Sequence, residues 1–394
     1  MVVSLGWILI AGLCAAALCD SIKAPRIVGM LLAGILIGPH ALNLLEENVL
    51  TVSSDLRQIA LIIILIKAGL TLNPADLKKV GRPAILMSFL PASFEILAFV
   101  LFAPAVLGIT RVEAAVMGAV LGAVSPAIVV PRMVRLIETG YGTRKGIPQM
   151  ILAGASCDDI FVIVLFTTFC SAARGDEISA LSFMRIPISI ILGIALGIIA
   201  GLLLSLVFSR ARSMRSTMKT LVLLGTSFLL IAVESYLEGI VPISGLLAVV
   251  AMACTIRMKC ARDIPEKLSG KFGKIWLAAE VILFVLVGAA VDIRYTLAAG
   301  NGAIAMIFIA LAIRMIGVFL CMIKTPLARK ERLFCMIAYT PKATVQAAIG
   351  SVPLALGLTC GQAVLSVAVL AILITAPLGA FGIDASYNRL LERE

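Results

Sequence analysis

The sequence predicts an all-α polytopic membrane protein with thirteen transmembrane helices. Hydrophobic residues make up 61% of its 394 positions and charged ones only 14%, too few to cover a soluble domain of this length. Apolar runs long enough to span a bilayer recur from end to end. Basic residues gather in alternate connectors between those runs, the asymmetry that cytoplasmic loops leave.

The spans fall near 1–19, 24–39, 56–72, 83–107, 112–131, 147–173, 186–209, 217–237, 241–257, 274–291, 302–323, 332–355 and 361–383. The first has no basic region before it and is followed at once by another apolar run, so it reads as a span and not a signal peptide. The glycine-rich second ends beside Pro39 and the only histidine, His40. Lys67 lies near the cytoplasmic end of the third, within snorkelling reach. The fourth carries Glu95, the fifth Val124-Ser125-Pro126, and the sixth the adjacent pair Asp158 and Asp159 near its middle. The seventh is a linker. Glu234, Glu280 and Asp292 sit near the ends of the eighth and tenth, where loop contacts and snorkelling account for them. The eleventh carries Arg314, the twelfth Tyr339-Thr340-Pro341-Lys342-Ala343-Thr344, and the thirteenth closes the set.

Of the 33 basic residues, 25 lie in one set of connectors and five in the other, which puts the N-terminus outside and the C-terminus in the cytoplasm. The net charge of +11 is therefore a topology signal and not a nucleic-acid footprint. Nine cysteines are scattered singly without CxxC spacing and read as packing residues, and one histidine offers no His-based metal site. No cofactor motif and no enzymatic constellation stand out.

The chain repeats itself. Pro25-x-x-x-Gly29 pairs with Pro242-x-x-Gly245, Gly69 with Gly288, Glu95 with Arg314 and Pro126 with Pro341, at offsets of 215 to 219 residues. Seven spans separate the copies, an odd number, so they run in opposite directions. The expectation is an inverted repeat, about 1–173 and 217–383, joined by 186–209, with a binding site near the midplane between the copies. Both copies break the same member, at Pro126 and at Pro341, where Pro removes a backbone donor and the hydroxyls of Thr340 and Thr344 stand by. Two crossing discontinuous helices follow, and Lys342 is placed to serve their dipole ends.

Ionisable groups inside a bilayer cost about 2.5–3.5 kcal/mol each on insertion scales, so Lys67, Glu95, Asp158, Asp159, Arg314 and Lys342 must pair or line a wet cavity. Adjacent residues on a helix point ~100° apart, which gives Asp158 and Asp159 different roles. Ser156 and Asp159 share a face and, with carbonyls near Val124 and Ser125, form an oxygen site for a hard monovalent cation such as Na⁺ or Li⁺. Proton and cation compete there. The sequence thus expects Asp159 to face the broken helices and Asp158 to point elsewhere. For Arg314 two partners are open, Glu95 in a structural bridge or Asp158 in a releasable one.

In Pro25-Arg26-Ile27-Val28-Gly29, in Ala33-Gly34-Ile35-Leu36-Ile37-Gly38-Pro39, in Gly154-Ala155-Ser156-Cys157-Asp158-Asp159-Ile160 and in Pro341-Lys342-Ala343-Thr344-Val345-Gln346-Ala347-Ala348, the chain resembles the cation/proton antiporter superfamily with the NhaA-type fold. The last two motifs are most similar to its NHA branch of sodium/proton exchangers, and the resemblance covers essentially the whole chain. It implies a homodimer in which core helices, about 83–173 and 302–383, carry ions by an elevator-like step while the remaining helices dimerise. It implies Asp159 as the main carrier and Asp158 as the accessory acid. Arg314 stands where many double-Asp members have a lysine, and electroneutral exchange is the expectation that goes with it. A K⁺/H⁺ exchanger or efflux system is the alternative; such systems add a nucleotide-binding domain, whereas this sequence ends eleven residues after its last span. A non-transporting scaffold would have no need of six buried ionisable groups. The expected setting is a bacterial inner membrane.

Overall fold

The computed structural model describes residues 1–22, 24–71, 81–174, 180–210, 214–237, 241, 243–261 and 263–393, with side chains throughout except at 156, 157, 160, 180–187, 190 and 293–299. Pro242 and the connector residues Lys23, Lys78, Lys79, Arg212 and Arg262 lie outside the described residues, as do the side chains of Ser156, Arg185 and Arg294. Eighteen helices run through what is described, and apolar sequence makes them helices because a bilayer leaves backbone groups no partner but their own segment. They are α1 (Val2–Ser21), α2 (Arg26–Ile37), α3 (Glu47–Thr51), α4 (Ser53–Thr71), α5 (Arg82–Met87), α6 (Leu90–Leu107), α7 (Arg111–Leu121), α8 (Pro126–Glu138) and α9 (Ile147–Ala173). There follow α10 (Ala180–Arg210), α11 (Ser216–Leu237), α12 (Gly245–Lys259), α13 (Asp263–Ala289), α14 (Ile293–Cys321), α15 (Arg329–Ala338), α16 (Thr344–Ile349), α17 (Val352–Ala355) and α18 (Gly361–Leu390). Among the described residues, eight helical segments are long and apolar enough to cross a membrane, and three shorter apolar helices accompany them. The chain is an integral membrane protein.

Two compact units divide it. One comprises 1–55, 75–174 and 281–394, and the other 56–74 and 175–280. In the second unit α10 lies along α12, and the approach is set by Gly193, Gly197 and Gly201, spaced one turn apart on α10. A Cβ on Gly197 would be driven into the Ala248 carbonyl, which is why this stripe carries no side chains. In the first unit, Gly34 of α2 and Gly288 of α13 meet backbone to backbone in the same way.

Both expected breaks are present. Residues 122–125 separate α7 from α8, and 339–343 separate α15 from α16. Pro126 opens α8 at its first position, where a missing N–H costs nothing. Two basic residues counted with the connectors, Arg57 and Lys219, are buried inside helices. Arg57 is buried in α4, and Lys219 is buried in α11, where its ammonium donates to the Phe208 carbonyl at 2.9 Å. Hydropathy places a span end within a few residues, and both side chains fell on the polar side of that margin.

Replacing Gly197 by valine forces α10 away from α12 and should destabilise the protein by about 1–3 kcal/mol or more. Thermal unfolding of the detergent-solubilised protein measures this, and an unchanged midpoint would contradict the close approach.

Candidate functional site

The site is built where the two breaks meet. Unwinding frees backbone groups that an intact helix would satisfy, and at this depth each needs a partner. One is direct: the Ser125 N–H donates to the Pro341 carbonyl at 2.8 Å. Three charged side chains and one amide take most of the others.

Arg314 of α14 is fully buried and spends its fork on both breaks. Its Nε donates to the Tyr339 carbonyl at 3.1 Å, and Nη1 donates to the Gly122 carbonyl. Nη1 also pairs with Glu95 at 2.8 Å, and Nη2 with Asp158 at 3.0 Å. The two partners that the sequence left open are therefore held at once. Lys342, in the second break, lies 2.6 Å from the Glu95 carboxylate and donates to the Leu121 carbonyl at the C-terminal end of α7. Cations at a helix C-terminus oppose its dipole, so Arg314 and Lys342 sit where the field favours them.

Asp158 departs from expectation. Its Oδ2 accepts the Val124 N–H at 2.9 Å as well as the Arg314 bond, so it faces the first break instead of pointing away. The N–H groups leading into α8 form the positive end of that half-helix, and an anion on α9 is drawn to it. Val124 was expected to offer a carbonyl, and it is its N–H that makes this contact.

Asp159 is buried at 9% exposure, and its Oδ1 has no hydrogen-bond partner among the described residues. Unpartnered too are Oδ1 of Asp158, the Ser125 hydroxyl and Oε1 of Gln346, all buried. Among the described residues these oxygens have nothing to accept from, and oxygens are the ligand type that a small hard cation takes. The Ser156 side chain, expected to share the Asp159 face, lies outside the described residues.

Thr340 turns its hydroxyl back onto the Ile337 carbonyl at 2.8 Å, and Thr344 is buried at the start of α16. Gln346, in the last of the family motifs, donates its amide to the Ala123 carbonyl at 2.8 Å and so bridges α16 and the first break. Thr375 of α18 was missed, and its hydroxyl accepts the Lys342 N–H at 3.1 Å. Only proximity in the fold reveals it, because a buried threonine in an apolar helix carries no signal of its own. Gly154, one turn before Asp158, lets the Tyr339 ring lie against α9, since any side chain there would strike the ring hydroxyl.

Arg314→Gln leaves Asp158 with one neutral partner and Glu95 with Lys342 alone. Removing one member of such a buried ion cluster costs about 3–5 kcal/mol, and Arg314→Lys recovers little because a point charge cannot reach both carboxylates and both carbonyls. Unfolding in detergent is the measurement. A lysine variant as stable as the native protein would contradict the shared fork.

Residues 8–385 match the family model described as sodium/hydrogen exchanger, transmembrane. The chain is 36% identical to human sodium/hydrogen exchanger 9B2 over 94% of its own length and 70% of that protein, and 34% identical to mouse sodium/hydrogen exchanger 9B1 over 94% and 66%. Its fold is similar to the sodium proton antiporter MjNhaP1 from Methanocaldococcus jannaschii, with a TM-score of 0.83 at 21% identity, covering 98% of this chain and 97% of that one. The buried carboxylates, the paired cations and the two broken helices thus belong to a transporter and not to an enzyme, and the chain is a member of the sodium/hydrogen exchanger family.

Proposed function

We propose that the chain exchanges Na⁺ or Li⁺ for H⁺, one for one, at Asp159 and the oxygens around it. The observation that carries this is a charge count. Three buried carboxylates, Glu95, Asp158 and Asp159, face two buried cations, Arg314 and Lys342. Glu95 is shared by both cations, and Asp158 is held by Arg314 and a backbone N–H. One negative charge is left over. An uncompensated carboxylate in a low-dielectric interior is held either with a proton or against a cation, so the two compete for one place. Arg314 cannot release a proton, and Lys342 is tied to Glu95 and a helix end. A single exchangeable charge makes the cycle electroneutral.

The architecture that goes with this is an inverted repeat of thirteen spans with crossing discontinuous helices. It is supported by equal spacings at the crossing: Gly122 and Tyr339, whose carbonyls Arg314 joins, stand 217 positions apart. Helices 83–173 and 302–383 would move as an elevator against a homodimeric remainder. The asymmetry of basic connectors supports an external N-terminus and a cytoplasmic C-terminus. A bacterial inner membrane finds no support in the vertebrate relatives.

Proteoliposomes with an internal pH dye, challenged with Na⁺, Li⁺ or K⁺, test the activity. Na⁺ or Li⁺ should dissipate a pH gradient, and Asp159→Asn should abolish it. Clamped voltage should not change the rate, whereas net movement of one charge would couple at about 2.3 kcal/mol per 100 mV. Exchange driven by K⁺ alone, or full activity in Asp159→Asn, overturns the assignment.

A further inference from the structure

Two glutamates outside the buried cluster hold matching places at opposite ends of the broken helices. Glu113 is the third residue of α7 and Glu331 the third of α15, 218 positions apart, close to the 219 that separate Glu95 from Arg314. Each carboxylate makes two kinds of contact. Glu113 accepts the Thr110 N–H at 2.8 Å, capping its own half-helix, and accepts the Thr359 hydroxyl at 2.5 Å. Glu331 accepts the Ala328 N–H at 2.7 Å, capping its own half-helix, and is bonded by the Lys145 ammonium at 2.9 and 3.0 Å.

The placement of the partners gives these contacts their meaning. Thr359 lies in the turn between α17 and α18, directly after the second half of the α15–α17 helix. Lys145 lies in the turn between α8 and α9, directly after the second half of the α7–α8 helix. Each glutamate therefore fixes the start of one broken helix to the loop that ends the other. A broken helix lacks the continuous hydrogen-bond ladder that would hold its halves in line, so its register depends on contacts with other segments, at the ends as well as at the break.

We propose that Glu113 and Glu331 are paired positioning residues that clasp the two broken helices together at both ends, keeping fixed the distances among Asp158, Asp159 and the freed backbone groups during exchange. The hydrogen bond that Lys145 donates to Glu331 raises the Lys145 pKa above its ordinary 10.5 against the opposing effect of desolvation, with Glu392 adding to and Arg144 opposing that rise. A group with a raised folded pKa stabilises fully below its unfolded value and loses that contribution only as pH climbs through the folded one. The Lys145 clasp therefore stays closed through the neutral range and acts as a fixture and not as a pH switch.

The inference rests on Asp158 and Asp159 being the cation site, which Asp159→Asn tests separately. Thr359→Val and Lys145→Met each remove a clasp while leaving both capping carboxylates in place. In proteoliposomes each should raise the apparent KM for Na⁺ by about tenfold, as loss of outer-shell support does at metal sites, with the maximal rate nearly kept. The double variant should raise it further, and Lys145→Arg should restore the native value. If both single variants lower thermal stability but keep the native KM, the contacts are only structural and the proposal fails. Should Lys145→Met not insert, the nearly isosteric Thr359→Val carries the test at the other end. Full activity in Asp159→Asn would remove the site assignment, and the KM shift would still decide whether the clasps act on cation affinity.

Discussion

One guanidinium holds the centre of this protein. Arg314 donates to a carbonyl in each helix break and to carboxylates from α6 and α9, using a planar fork of donors that no other side chain has. Four segments distant in sequence converge on it. Each partner is buried, so loss of the guanidinium would leave Asp158 with only the Val124 N–H, Glu95 with only Lys342, and two carbonyls without their donor. Breaking a membrane helix is tolerable only where something satisfies the freed groups, and Arg314 is the residue that serves both breaks at once.

The four half-helix ends at the crossing are treated by sign. The C-terminal ends, at Leu121 and Tyr339, receive Lys342 and Arg314, and the entry to α8 receives Asp158. The entry to α16 receives the Thr375 hydroxyl on the Lys342 N–H. Asp158 and Thr375 stand 217 positions apart, and so they answer to each other across the proposed repeat. In one copy the acceptor is a carboxylate with a second carboxylate beside it, and in the other it is a hydroxyl. The spacing at the crossing is nearly symmetric and the charge is not, so the proposed duplicated frame would carry a single ion site.

Much of this was legible in particular residues. Prolines at 126 and 341 marked the breaks because a missing donor is a local property, and Glu95 and Arg314 stood out because charge in an apolar run has to be answered. The direction in which Asp158 points was not legible, since a rotation of α9 decides it and the packing of Gly154 against Tyr339 sets that rotation. Arg57 and Lys219, at the edges of the spans 56–72 and 217–237 and counted with the connectors, are buried in helices because hydropathy fixes span ends only loosely. Thr110-x-x-Glu113 is a capping signature that can be read directly, whereas Ala328-x-x-Glu331 lacks the hydroxyl that would announce it. The reach of either glutamate to a distant loop depends on long-range folding alone.

The charge count also bears on how the site can change its exposure. Opening the pairs among Glu95, Arg314, Asp158 and Lys342 on every cycle would leave buried charges unanswered, at about 3–5 kcal/mol for each broken pair. A displacement that carries the whole network together meets no such cost, because every contact travels with it. On the proposed assignment, Asp159, whose Oδ1 has no hydrogen-bond partner and which no ion pair holds among the described residues, alternates between a proton and a cation without disturbing the rest. On that assignment the network that satisfies the broken helices confines the exchangeable charge to one carboxylate, and a rigid crossing favours the proposed movement of the site as a body.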